Sequence, residues 1–220
     1  PAPVLPPTRV CDGTVEERRC IQFVEFDEFG NLESRTQLTQ ALAAAEVVAK
    51  GGGLVTVYIH GWHHNAAPGD SDIKNFKKLV FESPNDKRGL GIYVGWRGDS
   101  INANSMLGKI PSYMFTFWGR KSTAHNIGNG GGVTELLRSL SDIRTDNQIS
   151  RLLVIGHSFG GAIVYTSLSD GIAESIRRDT QAGKDYPPIA DLVVLINPAF
   201  EAMRLRPLYG YARNYSYPDS

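Results

Sequence analysis

The chain has 220 residues, enough for one domain with a sizeable core. Its 23 lysines and arginines balance its 23 aspartates and glutamates, and a chain with no basic face is not expected to bind nucleic acid. No apolar run approaches the roughly 20 residues that span a bilayer, so no transmembrane segment is expected, and the 41% apolar content is that of an ordinary globular domain.

The first residue is Pro1 rather than methionine, which reads as a processed, trimmed or excised chain with room for a signal peptide ahead of it. Residues 1–19 read as a proline-rich leader, extended over Pro1-Ala2-Pro3-Val4-Leu5-Pro6-Pro7. The two cysteines, Cys11 and Cys20, have a short spacing with charged residues between them, which suits a local disulfide clip. Free thiols are the alternative. A disulfide would point to an oxidising compartment and so to export. A zinc site is not expected, because two cysteines without nearby histidines leave the metal short of ligands.

Residues 20–220 read as the domain proper. Ile21–Phe26 is a predicted strand, ended by Asp27 to Asn31, and Thr36 to Lys50 is a predicted helix stopped by Gly51-Gly52-Gly53. Leu54–Ile59 is a nearly continuous β-branched apolar run, the pattern of a strand buried on both faces. His60-Gly61-Trp62-His63-His64-Asn65 follows as a loop, then a helix over Ile73–Phe81 and a buried strand over Gly91–Trp96. Residues 98–132 are rich in glycine, serine and asparagine around Tyr113, Phe115, Phe117 and Trp118, and read as a long insertion. A helix over Val133–Ile143 leads to the strand Leu152–Ile155, a helix from Gly160 to about Arg178, and a last buried strand over Asp191–Ile196 closed by Asn197-Pro198. The tyrosines beyond it (Tyr209, Tyr211, Tyr215, Tyr217) show no clear periodicity. Apolar strands alternating with helices predict an α/β fold, a mostly parallel central sheet with helices on both faces.

The most informative segment is Gly156-His157-Ser158-Phe159-Gly160. It follows a short apolar strand and opens a helix, the layout of a nucleophile elbow. A serine hydroxyl is a weak nucleophile at neutral pH and needs exposure, a base and oxyanion donors. A sharp strand-to-helix turn supplies the exposure, and only very small residues fit where strand and helix come close, hence Gly156 and Gly160. The alternative, a glycine-rich phosphate-binding turn, finds no G-x-G-x-x-G and no Walker lysine here. One oxyanion donor would be the amide of Phe159. The second would come from the loop after Ile59, where Gly61 lets the backbone turn the Trp62 amide inward. The alternative for that loop is a plain strand-end turn with its indole packed on the sheet.

The remaining titratable groups are harder to place. His157 should point away from the pocket of Ser158 and act structurally. His63 and His64 lie on the oxyanion side rather than the base side, and the set His60, His63 and His64 lacks a carboxylate partner before Asp70, which argues against a metal. His125 reads as a loop histidine. Glu201, just past the last strand, is a candidate acid at the edge where loops gather over a parallel sheet; a surface glutamate paired with Arg204 is the alternative. Asp191 opens its strand at the opposite edge and is not expected to be catalytic. Arg97 would contact substrate or, more simply, hold loops together in an ion pair.

Together these residues resemble the α/β-hydrolase superfamily and, within it, a bacterial and fungal group of uncharacterised serine hydrolases. The carrying segments are His60 to Ala66, Tyr93 to Gly98, Phe117 to Lys121, the GHSFG elbow and Leu195 to Ala202. The resemblance implies that Ser158 is the nucleophile of an esterase- or lipase-like enzyme acting on a small-molecule carboxylic ester, with no cofactor. Phe159, Gly61 and Trp62 would form the oxyanion hole. It also implies two further strands carrying the acid and the histidine base, and neither is visible. The fold is therefore expected to be C-terminally incomplete, with the base beyond residue 220 and the edge of the last strand left open. The aromatic patch around Tyr113 to Trp118 would be a lid, an acyl pocket or ordinary loop packing. The competing reading is a non-catalytic binding or scaffold protein on a degenerate fold of the same kind.

Overall fold

The computed structural model describes residues 9–12, 19–27, 29–61, 70–82, 88–96, 131–148, 150–182 and 188–214. Their elements in chain order are β1 (Arg9–Asp12), β2 (Arg19–Phe26), α1 (Arg35–Lys50), β3 (Leu54–Ile59), α2 (Ser71–Phe81), β4 (Gly89–Trp96), α3 (Gly132–Asp146), β5 (Arg151–His157), α4 (Phe159–Ala182), β6 (Leu192–Ile196), a 3-10 turn (Ala202–Leu205) and α5 (Arg206–Asn214). The protein is an α/β chain with one six-stranded sheet ordered β1-β2-β4-β3-β5-β6. Strands β2 to β6 are parallel and β1 is antiparallel to β2. Among the described residues no helix is long and apolar enough to cross a membrane.

The core divides over the two faces of the sheet. Leu38, Ala41, Ala45, Leu136, Leu137, Leu140, Ala162 and Ile163, from α1, α3 and α4, pack with Val55, Val57 and Ile59 on one face. On the other face, Ile73, Phe76 and Val80 of α2 pack with Phe23 and Tyr93. This split follows from handedness. Right-handed crossovers place the helix on one face when the chain steps one way along a parallel sheet and on the opposite face when it steps back. The steps β2 to β3, β4 to β5 and β5 to β6 run toward β6 through α1, α3 and α4. The step from β3 to β4 runs back through α2. The chain beyond β3 and the chain beyond β5 therefore leave toward opposite faces, although the two strands are neighbours. A crevice opens at the carboxyl end of such a pair.

Three expectations need correction. The leader read over residues 1–19 contains β1, too short and too close to proline to show a period. Its pairing with β2 sets Cys11 opposite Cys20, and the two form a disulfide. The final strand is not buried: β6 is an edge strand among the described residues, with Leu192 56% and Ile196 43% exposed. Apolar composition reads alike in a central and an edge strand, and burial depends on what lies alongside. The tyrosine-rich tail, read without periodicity, contains helix α5, with Pro207 in its first turn where a missing N–H costs nothing. Tyr209 and Tyr211 lie exposed on it, and that exposure hides the apolar stripe. Tyr215 and Tyr217 lie outside the described residues, as do the insertion before Gly131 and its aromatic patch.

The start of β6 is held by Asp191. Its carboxylate takes two hydrogen bonds from Arg144 of α3, at 2.9 and 3.1 Å, and one from the Leu152 amide of β5 at 2.7 Å. Partial burial pushes this carboxyl up, but the Arg144 guanidinium and the Leu152 N–H outweigh it and hold the group below its ordinary value of 3.8. A depressed folded value gives stability that is present above the unfolded value and lost as pH falls through the folded one. Asp191→Asn should therefore lower stability at pH 7 by about 1–3 kcal/mol. In urea titrations the gap from wild type should narrow below about pH 4. A gap unchanged between pH 7 and pH 3 would show that the charge contributes nothing.

Candidate active site

Strand β5 ends at His157 and helix α4 begins at Phe159, leaving a single residue, Ser158, to make the turn. Ser158 adopts φ 53°, a left-handed conformation costing a non-glycine residue about 1–2 kcal/mol. The cause lies in the backbone around it. A Cβ at Gly160 would sit 2.1 Å from the carbonyl oxygen of Ile59 and 2.6 Å from that of His60. One at Gly156 would sit 2.7 Å from the Gly160 oxygen and from the Gly161 Cα. Strand β3, the end of β5 and the first turn of α4 thus touch backbone to backbone, and the chain has no room for a wider turn. The Ser158 carbonyl accepts from the Ala162 amide at 3.3 Å, which closes the first helical turn.

The other wall comes from β3 and β4. His60 is fully buried. Its Nε2 accepts a hydrogen bond from the Trp96 amide at 3.1 Å. An amide can only donate, so Nε2 carries no proton, and the proton on Nδ1 is donated to the Gly61 carbonyl at 2.7 Å. The ring is therefore neutral. It stacks on Trp96, centroids 5.4 Å apart, and on Tyr93 at 5.7 Å. The Trp96 indole N–H donates back to the His60 carbonyl at 2.9 Å. These bonds tie the end of β3 to the end of β4 and aim the Gly61 peptide. A Cβ at Gly61 would lie 3.0 Å from the Cβ of Ser158 and 3.1 Å from Nδ1 of His157, so the glycine lies directly against the serine.

Asp70 is the N-cap of α2, and its carboxylate accepts from the Asp72 amide at 2.8 Å. Tyr58 of β3 donates to Asp72 at 2.8 Å.

The structure brings Ser158, Phe159 and Gly61 together at the carboxyl ends of β3 and β5. The Phe159 ring lies in the core, 1% exposed, and its amide stands in the first turn of α4. His157 packs beside Gly61. His60, weighed in sequence only as one of three possible metal ligands, has both ring nitrogens engaged by backbone. Glu201 is exposed, and its carbonyl accepts from the Arg204 amide at 2.9 Å to open the 3-10 turn. That turn rests on α4 through Tyr165, whose ring packs tilted against Phe200, centroids 4.8 Å apart, and whose hydroxyl donates to the Arg204 carbonyl. Asp191 lies at the other end of β6. Trp62, His63, His64, Asn65, Ala66, Arg97 and His125 lie outside the described residues.

In sequence Asn197 reads only as part of the Asn197-Pro198 close of the last strand. It sits immediately after β6 with φ 43°, and it and Ser158 are the positive-φ non-glycine residues among those described. Its signal was present: Asn-Pro marks turns, and asparagine is enriched in the left-handed region.

Two substitution sets test this geometry. Gly160→Ala, with backbone on two sides, should cost at least about 1–3 kcal/mol or prevent folding. Gly210→Ala in α5, where a Cβ would meet nothing within 4 Å, should stabilise by about 0.5–1 kcal/mol. Ser158→Gly should raise stability by about 1 kcal/mol by relieving the turn, while Ser158→Ala should not. Equal midpoints for the two serine variants in chemical denaturation would mean that Ser158 carries no strain.

No protein-family model matches this chain, and no similar curated protein is found.

Proposed function

We propose that the protein is a serine hydrolase of carboxylic esters with the α/β-hydrolase fold, using Ser158 as nucleophile. The observation that carries this reading is a serine held at φ 53° in a one-residue strand-to-helix turn, placed where the crossovers of the sheet diverge. Backbone strain of this kind concentrates at functional sites, and an open parallel sheet binds ligands in the crevice at such a point.

In the proposed reaction the Ser158 Oγ attacks the ester carbonyl carbon and its proton passes to a general base. The carbonyl oxygen gains the negative charge, and the amides of Phe159 and Trp62 hold it. Each such donor contributes about 2.7–4 kcal/mol of transition-state stabilisation. The tetrahedral centre collapses, the alcohol leaves with the proton returned by the base, and an acyl-serine remains. Water, deprotonated by the same base, then releases the carboxylic acid. His60 cannot be this base, since both its ring nitrogens hold backbone groups. We assign the role to a histidine outside the described residues. Glu201 is the candidate to orient it, although exposure makes it a weak one. A site without its base keeps only a residual activity, about 10⁴- to 10⁶-fold below the complete enzyme.

The competing reading is a binding or scaffold protein on the same fold. Both readings meet one experiment on the full-length protein. The Ser158 Oγ should attack the phosphorus of a fluorophosphonate, give its proton to the base and expel fluoride, leaving a covalent phosphonyl-serine, and a nitrophenyl ester series should be hydrolysed. Ser158→Ala should abolish both while leaving the fold intact. A folded protein that neither labels nor turns over would rule out the hydrolase and leave the binding reading.

A further inference from the structure

We propose that Asn197 is a positioning residue for Ser158, acting through the turn that follows β6; this rests on the nucleophile reading of Ser158. The turn holds both backbone groups of that residue. The Ser158 amide donates to the Ile196 carbonyl at 2.9 Å, and the Ser158 carbonyl accepts from the Ala199 amide at 2.8 Å. Ile196 and Ala199 are three residues apart. In a regular parallel ladder the two residues that bond one neighbour are two apart, about 7 Å along the strand. Here they are three apart, so the chain must bend between them to take up the extra residue, and the bend is the left-handed conformation of Asn197, φ 43°. Pro198 completes the clamp: a Cβ at Gly161 would lie 2.9 Å from the Pro198 Cβ and 3.1 Å from its Cα. The turn therefore presses on the start of α4 as well as on the serine backbone.

The clamp has a chemical consequence. A serine at positive φ relaxes toward ordinary backbone unless its surroundings over-determine it. The glycine contacts with β3 restrain Ser158 from one side, and the turn restrains it from the other. Asn197 itself is exposed, so its residue type is not required by burial. Its conformation is the requirement. A β-branched residue is nearly excluded from the left-handed region, and glycine enters it freely.

The test compares Asn197→Val with Asn197→Gly in the full-length protein, by the rate of fluorophosphonate labelling at Ser158 and by hydrogen exchange at the Ser158 and Ala199 amides. Asn197→Val should label at least about tenfold more slowly, as expected for a nucleophile displaced by a fraction of an ångström, and both amides should lose protection. Asn197→Gly should restore the wild-type rate and protection, a rescue that a merely stabilising surface residue would not show. If Asn197→Val does not fold, Asn197→Ala replaces it with the same expectations in milder form. A folded valine variant with wild-type labelling and protection would overturn the proposal. If the wild type itself does not label, the nucleophile reading falls and the exchange data alone judge the clamp: selective loss of protection upholds it, and unchanged protection removes it.

Discussion

The approach of Gly160 to the carbonyls of Ile59 and His60 is the constraint on which the rest of the site depends. Strand β3 and helix α4 come so close there that no side chain fits between them. Every neighbouring feature follows from that proximity. With α4 starting against the end of β3, the link from β5 must be a single residue, and a single residue can make the turn only with positive φ. The same approach brings Gly61 against Ser158. The strain at Ser158 is about 1–2 kcal/mol, small against the apolar area buried by α1, α3 and α4 on this face of the sheet.

His60 connects that site to the core. A fully buried imidazole is costly unless both nitrogens are satisfied, and here each is satisfied by backbone. The acceptor nitrogen takes the amide of Trp96 and the donor nitrogen holds the carbonyl of Gly61. The ring thereby joins two central strands and fixes the direction of the peptide that faces Ser158. Its stacking on Tyr93 and Trp96 leaves little freedom for either the ring or the peptide to move. The placement of Gly61 against Ser158 and the packing between the strands are therefore properties of the same few bonds.

Strand β6 is held differently. Its side chains are half exposed, so burial contributes less to it than to the central strands. It is attached at its ends, through Asp191 to Arg144 and Leu152 at the start and through Ile196, Pro198 and Ala199 to the elbow at the finish. An edge strand secured this way transmits its position to whatever its ends touch, and at the finish that is Ser158.

The sequence alone established the α/β class, the parallel alternation of strands and helices, and the tight strand-to-helix turn at Ser158. These are local properties. The apolar run of Leu54 to Ile59, the glycines spaced around Ser158 and the breaker-free stretch from Thr36 to Lys50 each carry their signal within a few residues. Only the tertiary structure decided that the side chains of β6 are half exposed, that a strand β1 pairs with β2, and that both ring nitrogens of His60 are engaged by backbone. It alone brought Asn197 beside Ser158, thirty-nine positions away in the chain. The physical reason is the same in each case. Burial, ring partners and backbone clamps are set by which distant segments the crossovers bring together, and residue type along the chain does not encode those neighbours one by one.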